Sequence, residues 1–347
     1  MSYITIRDVA QRAGISVSTV SRALNNTGRI SANTKAKVER AVAELGYIPD
    51  SRAQAMRSSR TKTVGLLVPD IRNAYFAELA YTVQDSLFDA GYCAFIGTSS
   101  ESAARQDSFI TSILSQRIDG AIIVPQGEET DAMRMLMEQH LPLMFMDRHV
   151  ESRTGDLTHV PVVDSDPEQG IREALLDVKQ HGFCSVGYVS GPIIASPSLQ
   201  EREQVFRTVA SEIFGEEHVF VESTGFEQSS CASVLHRMIS VGVKALIVGY
   251  SPDALRVMDV MAREGLVIGS DISLISFDDV EIFRLATPRI STISQQVQRI
   301  GRTSAALFLD MLEHNVDVQS QRVETMYIPR ESLGLSLIHI SEPTRRT

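Results

Sequence analysis

The chain has 347 residues, of which 43% are apolar and 22% are charged, a balance typical of a globular protein long enough for two or three domains. No apolar run approaches the about eighteen residues that span a bilayer, so no membrane protein is expected. The start of the chain lacks a secretory signal pattern, and Cys93, Cys184 and Cys231 show neither disulfide-framework nor metal-binding spacing, which predicts a cytoplasmic protein with reduced thiols.

The charge is distributed unevenly along the chain, whose net charge is −10. Residues 1–60 hold ten Lys or Arg against four Asp or Glu, whereas the rest of the chain holds 23 against 39. A basic head on an acidic body indicates that the head alone binds a polyanion.

The head has the start and stop signals of three short helices. Thr5 and Asp8 form a capping pattern before IRDVAQRA, and Gly14 ends that helix in a tight turn. Ser16 can cap the second helix, and Ser31 or Asn33 can begin a third, which Gly46 closes. Two short helices joined by a turn and braced by a third predict a helix-turn-helix domain over residues 1–48.

The second helix has a polar face suited to the major groove of DNA. Its Val20, Ala23 and Leu24 face inward, and the outward positions are predicted to be Val17, Ser18, Ser21, Arg22 and Asn25. Arg22 can bind guanine through two hydrogen bonds, Val17 can pack on a thymine methyl group, and Ser18 suits several bases. The alternative is an ordinary solvated helix in a small bundle.

Residues 49–62 are predicted to form a hinge helix and a linker. Pro49 stops the third helix, Asp50 or Ser51 can cap a short helix that runs through Met56, and RSSRTKT carries no apolar pattern. Because so short a helix is marginal in isolation, we expect it to fold only when a partner orders it.

From Thr63 onward, apolar runs such as TVGLLVPD, GAIIVP, SVGYVSG and SLISFDD alternate with amphipathic helices. This pattern predicts an α/β body of two doubly wound parallel-sheet lobes, with a ligand cleft at the carboxyl ends of the strands. The first lobe is predicted to span 63–160 and 292–322, and the second 161–291 and 323–334. Polar and aromatic residues follow several strands and suit a polyol, namely Asn73, Tyr75, Phe76, Asp147, Arg148, Arg202, Asp278 and Asp279. Surface charges, a helix cap and core aromatics are the alternative.

The chain from Ile4 to about Gly334 resembles the LacI/GalR family of ligand-responsive repressors. The stretch TIRDVAQRAGISVSTVSRALNN, followed by RISANTKAKVERAVAELGYIP, carries the resemblance. It implies base contacts from Val17, Ser18 and Arg22 in the major groove. The implied phosphate contacts are Ser16, Thr19, Ser21, Asn25, Ser31 and Tyr47. The resemblance also implies that Met56 of the hinge helix is an apolar wedge in the minor groove.

The same resemblance implies a homodimer on a palindromic operator, controlled by a small molecule in the cleft. The implied ligand contacts are Tyr75, Phe76, Asp147, Arg202, Phe226 and Asp278. A sugar or sugar derivative is expected, and a nucleoside or purine is the alternative. No catalytic residue, metal or cofactor is expected.

Three stretches depart from the family pattern. YSPDAL replaces the usual Asn-Asp pair, so that Ser251 or Asp253 can make that contact, and Phe183 stands where His is usual. The tail Leu335–Thr347 resembles the translation of a sequencing adapter and is predicted to be non-native.

Two other functional classes fit less well. A transport sugar-binding protein would share the body but would need a secretory signal and no basic head. An enzyme would need a phosphate-binding glycine loop, a nucleophile elbow or a metal-ligand cluster, and none of these motifs occurs in the sequence.

Overall fold

The structure, a computed structural model, describes residues 4–25, 27–47, 60–127, 129–150, 155–192, 196–225 and 228–334. The chain divides into two compact units, Met1–Thr61 and Lys62–Thr347. The predicted wedge Met56, the predicted ligand contact Phe226 and the tail 335–347 lie outside the described residues.

The head consists of three helices, α1 (Ile6–Ala13), α2 (Val17–Leu24) and α3 (Ala32–Leu45). Their ends are set by the predicted residues. The backbone N–H of Thr5 donates to Asp8 over 2.7 Å, and Ser31 caps α3 by accepting from the backbone N–H of Thr34. Gly14 and Gly46 end α1 and α3 with φ of 67° and 62°, in the left-handed region that favours glycine.

The body contains strands and helices in alternation. The strands are β1 (Thr63–Val68), β2 (Cys93–Thr98), β3 (Gly120–Ile123), β4 (Leu143–Met146), β5 (Val162–Asp166), β6 (Val186–Val189), β7 (Val219–Glu222), β8 (Ala245–Val248), β9 (Ser273–Phe277), β10 (Ser291–Ser294), β11 (Gln321–Glu324) and β12 (Met326–Ile328). The helices are α4 (Ala74–Asp89), α5 (Ala103–Ser115), α6 (Asp131–Glu138), α7 (Glu168–Gln180), α8 (Pro197–Phe214), α9 (Gln228–Ser240), α10 (Ser251–Glu264), α11 (Glu281–Leu285) and α12 (Val297–His314).

These strands form two six-stranded sheets, one in each lobe. The first has the order β11-β5-β4-β3-β1-β2 and is parallel throughout. The second has the order β12-β10-β9-β8-β6-β7 and is parallel except for β12. Strands β3, β4, β6, β8 and β9 are buried along their whole length, as expected for a parallel sheet covered on both faces. The predicted fold class of the head and of the body is confirmed, whereas the predicted hinge helix falls on residues 48–59, outside the described residues.

The lobe boundaries differ from the predicted ones by a few residues. Strand β5 pairs with β4 and therefore belongs to the first lobe, although the prediction placed residues 161–166 in the second. Strand β10 pairs with β9 in the second lobe, and β11 pairs with β5 in the first. The chain therefore changes lobe close to residues 166, 295 and 325. An apolar run does not reveal which sheet it will join, because strand pairing is a long-range property.

Helix α12 was not predicted as a helix, and it packs along α4 on the first-lobe sheet. Gly301 makes the close approach possible, since a Cβ atom there would lie 2.9 Å from the Cβ and Cγ2 atoms of Thr82. Among the described residues, no helix is long and apolar enough to cross a membrane, and no three His, Cys, Asp or Glu side chains converge as metal ligands.

Candidate functional sites

The surface of α2 carries the predicted base-reading side chains. Ser16 begins the helix and accepts a hydrogen bond from the backbone N–H of Thr19 over 3.2 Å, which satisfies a free donor of the first turn. Val17, Ser18 and Arg22 are all exposed on the outer face. The side chain of Arg22 makes a 3.4 Å hydrogen bond from its Nε to the carbonyl of Ser18 on the same helix. Its remaining N–H groups can therefore address an acceptor on DNA.

Hydroxyl groups are clustered at the start of α2. The hydroxyl of Ser16 lies 2.9 Å from that of Ser18 and 2.8 Å from that of Thr19. At the start of α3, the hydroxyls of Ser31 and Thr34 lie 2.8 Å apart. Each cluster lies beside the backbone N–H groups of a helix N-terminus, which is favourable for a phosphate group.

Two predicted phosphate contacts are less available than expected. Ser21 was predicted to face outward, but it is buried, and its hydroxyl and carbonyl lie within hydrogen-bond distance of the Asn25 amide. Tyr47 is 9% exposed and belongs to the apolar core of the head. The outward prediction for Ser21 was wrong because a small hydroxyl group beside Val20 fits the helix interface, and its neighbour Asn25 satisfies it locally.

In the body, two aspartates occupy equivalent positions in the two lobes. Asp147 follows β4 and Asp278 follows β9, and their φ angles are 62° and 64°. The backbone N–H of each donates to the adjacent strand, to Val163 over 2.9 Å and to Ile293 over 3.0 Å. A left-handed residue at a strand end turns the chain sharply, and such conformations cluster at functional sites.

Asp147 and Tyr75 are joined in the first lobe. The Tyr75 hydroxyl donates to Oδ1 of Asp147 over 2.7 Å, and both side chains are buried. The rings of Tyr75 and Phe76 pack edge to face with their centres 5.1 Å apart, and the guanidinium carbon of Arg148 lies 5.6 Å from the centre of the Phe76 ring. Burial, followed by the charge of Asp147, raises the pKa of Tyr75, so that this phenol remains a hydrogen-bond donor.

Asp278 is held by neutral donors in the second lobe. Ser251 donates to its Oδ2 over 2.6 Å, and the amide of Gln295 donates to its Oδ1 over 2.5 Å. Burial raises the pKa of Asp278, while Arg202 opposes that rise. Of the two residues left open in YSPDAL, Ser251 reaches Asp278, whereas Asp253 accepts from Thr224 and pairs with Arg256.

Arg202 extends from α8 beneath the end of the second-lobe sheet. Its Nη1 donates to the carbonyl of Gly249 over 3.0 Å, and its guanidinium lies 4.7 Å from the centre of the Phe277 ring. The side chain is 5% exposed, and its Nε has no acceptor among the described residues. A buried donor without an acceptor is costly, so this atom is suited to a ligand oxygen.

The two lobes are joined by polar contacts beside these groups. Ser165, on the first-lobe strand β5, donates to Oε1 of Gln295 over 2.7 Å. Arg322 pairs with Asp164 of its own sheet at 3.1 Å and with Glu201 of the second lobe at 2.9 Å. Burial raises the pKa of Asp164 despite the opposing charge of Arg322. These contacts were missed, since nothing in the local sequence pattern pairs residues so far apart.

A small cleft, partly open to solvent, lies at this junction. It is lined by Asp147, His149, Asp164, Ser165, Pro167, Ser198, Glu201 and Arg202. The lining includes the carboxylates of Asp147, Asp164 and Glu201 and the guanidinium of Arg202. Such a mixture suits a ligand whose groups both donate and accept hydrogen bonds.

The chain is similar to known regulators in both of its parts. Residues 5–50 match the family model described as bacterial regulatory proteins, lacI family, and residues 178–333 match a periplasmic binding protein-like domain. The HTH-type transcriptional repressor PurR of Yersinia pestis (strain Pestoides F) is 26% identical over 334 residues, which cover 95% of this chain and 97% of PurR.

Solved structures share the fold. The lac repressor dimer bound to operator and the anti-inducer ONPF has a TM-score of 0.81 at 23% identity and covers 96% of this chain and 100% of its own. The complex of the transcriptional regulator CelR with cellobiose has a TM-score of 0.67 at 23% identity and covers 95% of this chain and 99% of its own.

Proposed function

We propose that a sugar-like effector in the body cleft controls the binding of this protein, as a dimer, to a palindromic operator. The premise is that the chain belongs to the LacI family of bacterial regulatory proteins and is a DNA-binding transcriptional repressor. The exposed face of α2 carries the proposal. It presents Val17, Ser18 and Arg22 on a helix whose start is fixed by the Ser16 cap.

An inverted-repeat operator requires two heads related by a twofold axis. The body offers apolar surface for a second copy on one side of the first lobe. Tyr81 and Phe88 of α4 are 60% and 69% exposed, and the edge strand β2 exposes Phe95 and Ile96. Large apolar side chains grouped in this way are typical of protein interfaces. This surface supports the proposed homodimer.

The chemistry of the cleft favours a polyol as effector. Asp147 and Asp278 accept hydrogen bonds, and Arg202 Nε supplies a donor without an acceptor among the described residues. A sugar hydroxyl can donate a hydrogen bond to either aspartate and accept one from Arg202 Nε. The solved CelR structure is a complex with a sugar, cellobiose. The similarity to PurR keeps a nucleoside or purine as the second candidate.

Effector control requires the ligand to bind one arrangement of the lobes more tightly than another. The cleft is lined from both lobes, by Asp147 of the first and Arg202 of the second, and Asp278 of the second lobe interacts electrostatically with Arg202. A ligand that bridges them stabilises one separation of the lobes, and through it one spacing of the two heads.

The operator proposal is tested by selecting duplexes from a random pool with the full chain. We expect an inverted repeat to be enriched, because two equal heads read two equal half-sites. Enrichment of no sequence over the starting pool would contradict the proposal.

The effector proposal is tested by thermal denaturation with D-ribose, cellobiose, adenosine and hypoxanthine. A ligand at about 100 times its Kd stabilises the folded state by about 2.7 kcal/mol, which is visible as a raised Tm. A rise with a sugar supports the first candidate. A rise confined to adenosine or hypoxanthine would replace it with the second.

A further inference from the structure

Several buried polar atoms lie at the carboxyl edge of the first-lobe sheet without hydrogen-bond partners. They are Ser99 Oγ, Gln106 Nε2, Gln126 Nε2 and Arg148 Nε, and none of these four residues is more than 5% exposed. We call these four residues the Arg148 subsite. Buried polar atoms in folded proteins are almost always paired, so a concentration of unpaired ones indicates a place built for another molecule.

The orientation of the two amides is set by their oxygens. Gln106 Oε1 accepts from the backbone N–H of Gln126 over 2.8 Å, and Gln126 Oε1 accepts from Arg148 Nη1 over 3.1 Å. Their unpaired atoms are therefore the NH₂ groups, which can only donate. Together with Arg148 Nε–H, the Arg148 subsite presents donors that lack acceptors among the described residues.

A carboxylate of the protein itself already occupies the outer side of Arg148. Glu101 accepts from Nη1 over 2.7 Å and from Nη2 over 3.0 Å, a bidentate contact. Arg148 is 5% exposed in its side chain, whereas Glu101 is 29% exposed. Ser100 and Glu101 have φ of 49° and 56°, so the loop that presents this carboxylate adopts a conformation costly for both residues.

The Arg148 subsite adjoins the effector cleft. Arg148 Nε lies 3.6 Å from Oδ2 of Asp147, which lines the cleft. From the second lobe, Tyr250 interacts electrostatically with both Arg148 and Glu101. The guanidinium therefore lies where a ligand held between the lobes can reach it.

We infer that the Arg148 subsite binds an anionic oxygen group of the effector, a carboxylate or a phosphate, and that Glu101 is an internal competitor for it. The inference rests on the proposed effector cleft and narrows its ligand to an acidic or phosphorylated sugar. Exchange of Glu101 for a ligand carboxylate leaves the charge around Arg148 unchanged, and the released Glu101, already 29% exposed, can be solvated. The ligand anion can also accept hydrogen bonds from Arg148 Nε and the two glutamine NH₂ groups, which Glu101 leaves unpaired.

The substitution Glu101→Gln tests this inference, with inorganic phosphate as the probe. The variant keeps an acceptor beside Arg148 but removes the competing charge. Because a hydrogen bond to a charged group is markedly stronger than a neutral one, we expect phosphate to bind about tenfold more tightly than to the wild type. Calorimetric titration of the full chain at constant ionic strength measures the change.

The matched control is Glu331→Gln. Glu331 also forms a bidentate pair, with Arg289 at 2.9 Å, but this pair is exposed on the surface and has no buried unpaired donors beside it. The basic head contributes equally to phosphate binding in all three proteins. Glu331→Gln is expected to match the wild type, and an equal gain in both variants would overturn the inference.

A second variant guards against a general effect of lost charge. Glu101→Gln combined with Gln126→Glu moves the carboxylate to an isosteric buried position, where it pairs with Arg148 and removes one donor. Phosphate affinity should return to the wild-type level while the Tm stays close to that of Glu101→Gln. Retention of the full gain in this double variant would contradict the assignment.

Acetate at the same ionic strength distinguishes the two sources of the anion. A larger gain with acetate than with phosphate assigns a sugar acid, and the reverse assigns a phosphorylated sugar. If Glu101→Gln binds neither probe more tightly than the wild type does, the Arg148 subsite is ruled out. Operator binding, measured in parallel, is expected to be unchanged in every variant, so failure of this inference is distinct from failure of the proposed repressor function.

Discussion

At the scale of single residues, we propose that a few side chains decide what each part of this repressor recognises. Arg22 is exposed on α2 and makes a long 3.4 Å hydrogen bond to Ser18 of its own helix, whereas Arg12 of the same domain pairs with Glu44. In the body, Asp278 is buried, accepts hydrogen bonds from Ser251 and Gln295, and interacts electrostatically with Arg202. We propose that Arg22 reads an operator base and that Asp278 contacts the effector.

Arg22→Ala is expected to abolish preference for the operator over random duplex. A bidentate contact from arginine to guanine contributes about 1–3 kcal/mol of discrimination, whereas nonspecific attraction to phosphates depends on the whole head. Fluorescence anisotropy with both duplexes measures the ratio. Arg12→Ala, which removes a charge away from the reading face, is the control and should keep the preference. Equal weakening on both duplexes by Arg22→Ala would contradict the base-reading role.

Asp278→Asn is expected to weaken effector binding about tenfold or more, because hydrogen bonds to a charged acceptor contribute about 1.5–3 kcal/mol. Operator affinity of the ligand-free protein should not change. Calorimetry with the effector found by thermal screening gives the comparison. An unchanged effector affinity would remove Asp278 from the site.

The effect of the same variant on the free energy of unfolding is expected to depend on pH. Burial raises the pKa of Asp278 above its ordinary value of 3.8, so the folded state binds its proton more tightly than the unfolded state does. The carboxylate therefore costs stability that grows as pH rises from 3.8 through the raised pKa, and this cost disappears at lower pH. The free energy of unfolding of Asp278→Asn, relative to the wild type, should increase with pH over that window. Urea titrations across the window measure it, and a constant difference would show that the pKa is not raised.

At the scale of elements, close approaches between helices and strands determine where functional side chains lie. Helix α12 packs on α4, the helix that carries Tyr75 and Phe76 at its start. The contact depends on Gly301, which lies against Thr82. Displacement of α4 would therefore move the Tyr75 hydroxyl relative to Asp147.

Gly301→Ala is expected to destabilise the body by about 1 kcal/mol. The added methyl group overpacks against the Cβ of Thr82, which no rotamer change can move, and this lowers the free energy of unfolding by about 1–3 kcal/mol. The better helix propensity of alanine raises it by about 1 kcal/mol. Denaturant unfolding measures the difference. Arg302→Ala, an exposed position on the same helix, should be near neutral. Stabilisation by Gly301→Ala would show that α4 and α12 can separate freely.

At the scale of the whole molecule, charge separates the two parts. Residues 1–60 carry ten basic against four acidic side chains, and the remaining chain carries 23 against 39. The acidic body repels DNA, so nonspecific binding is left to the head, and two heads held in the proposed dimer would address two half-sites together.

Operator affinity is therefore expected to fall steeply with salt. A protein that neutralises several phosphates loses about 10³-fold or more between about 50 and 200 mM salt, through release of counterions. Anisotropy titrations over that range give the slope. The body alone, residues 62–347, should show no binding to DNA at any of these concentrations. A shallow slope for the full chain, or DNA binding by the body, would contradict this division of roles.

The sequence alone determined the features whose causes are local. The caps at Thr5, Ser16 and Ser31 and the glycine stops at Gly14 and Gly46 all depend on residues within one helical turn. Strands β1 to β6, β8 and β9 and the alternating α/β pattern follow from apolar periodicity, which is also a short-range signal.

The tertiary structure decided everything that depends on pairing across the chain. Tyr75 and Asp147 are 72 residues apart, Ser165 and Gln295 are 130 apart, and Glu101 and Arg148 are 47 apart. Neither composition nor periodicity specifies such contacts, because folding brings these residues together only after the sheets have chosen the order of their strands. For the same reason the lobe of β5, the burial of Ser21 and the unpaired donors around Arg148 became visible only in the fold.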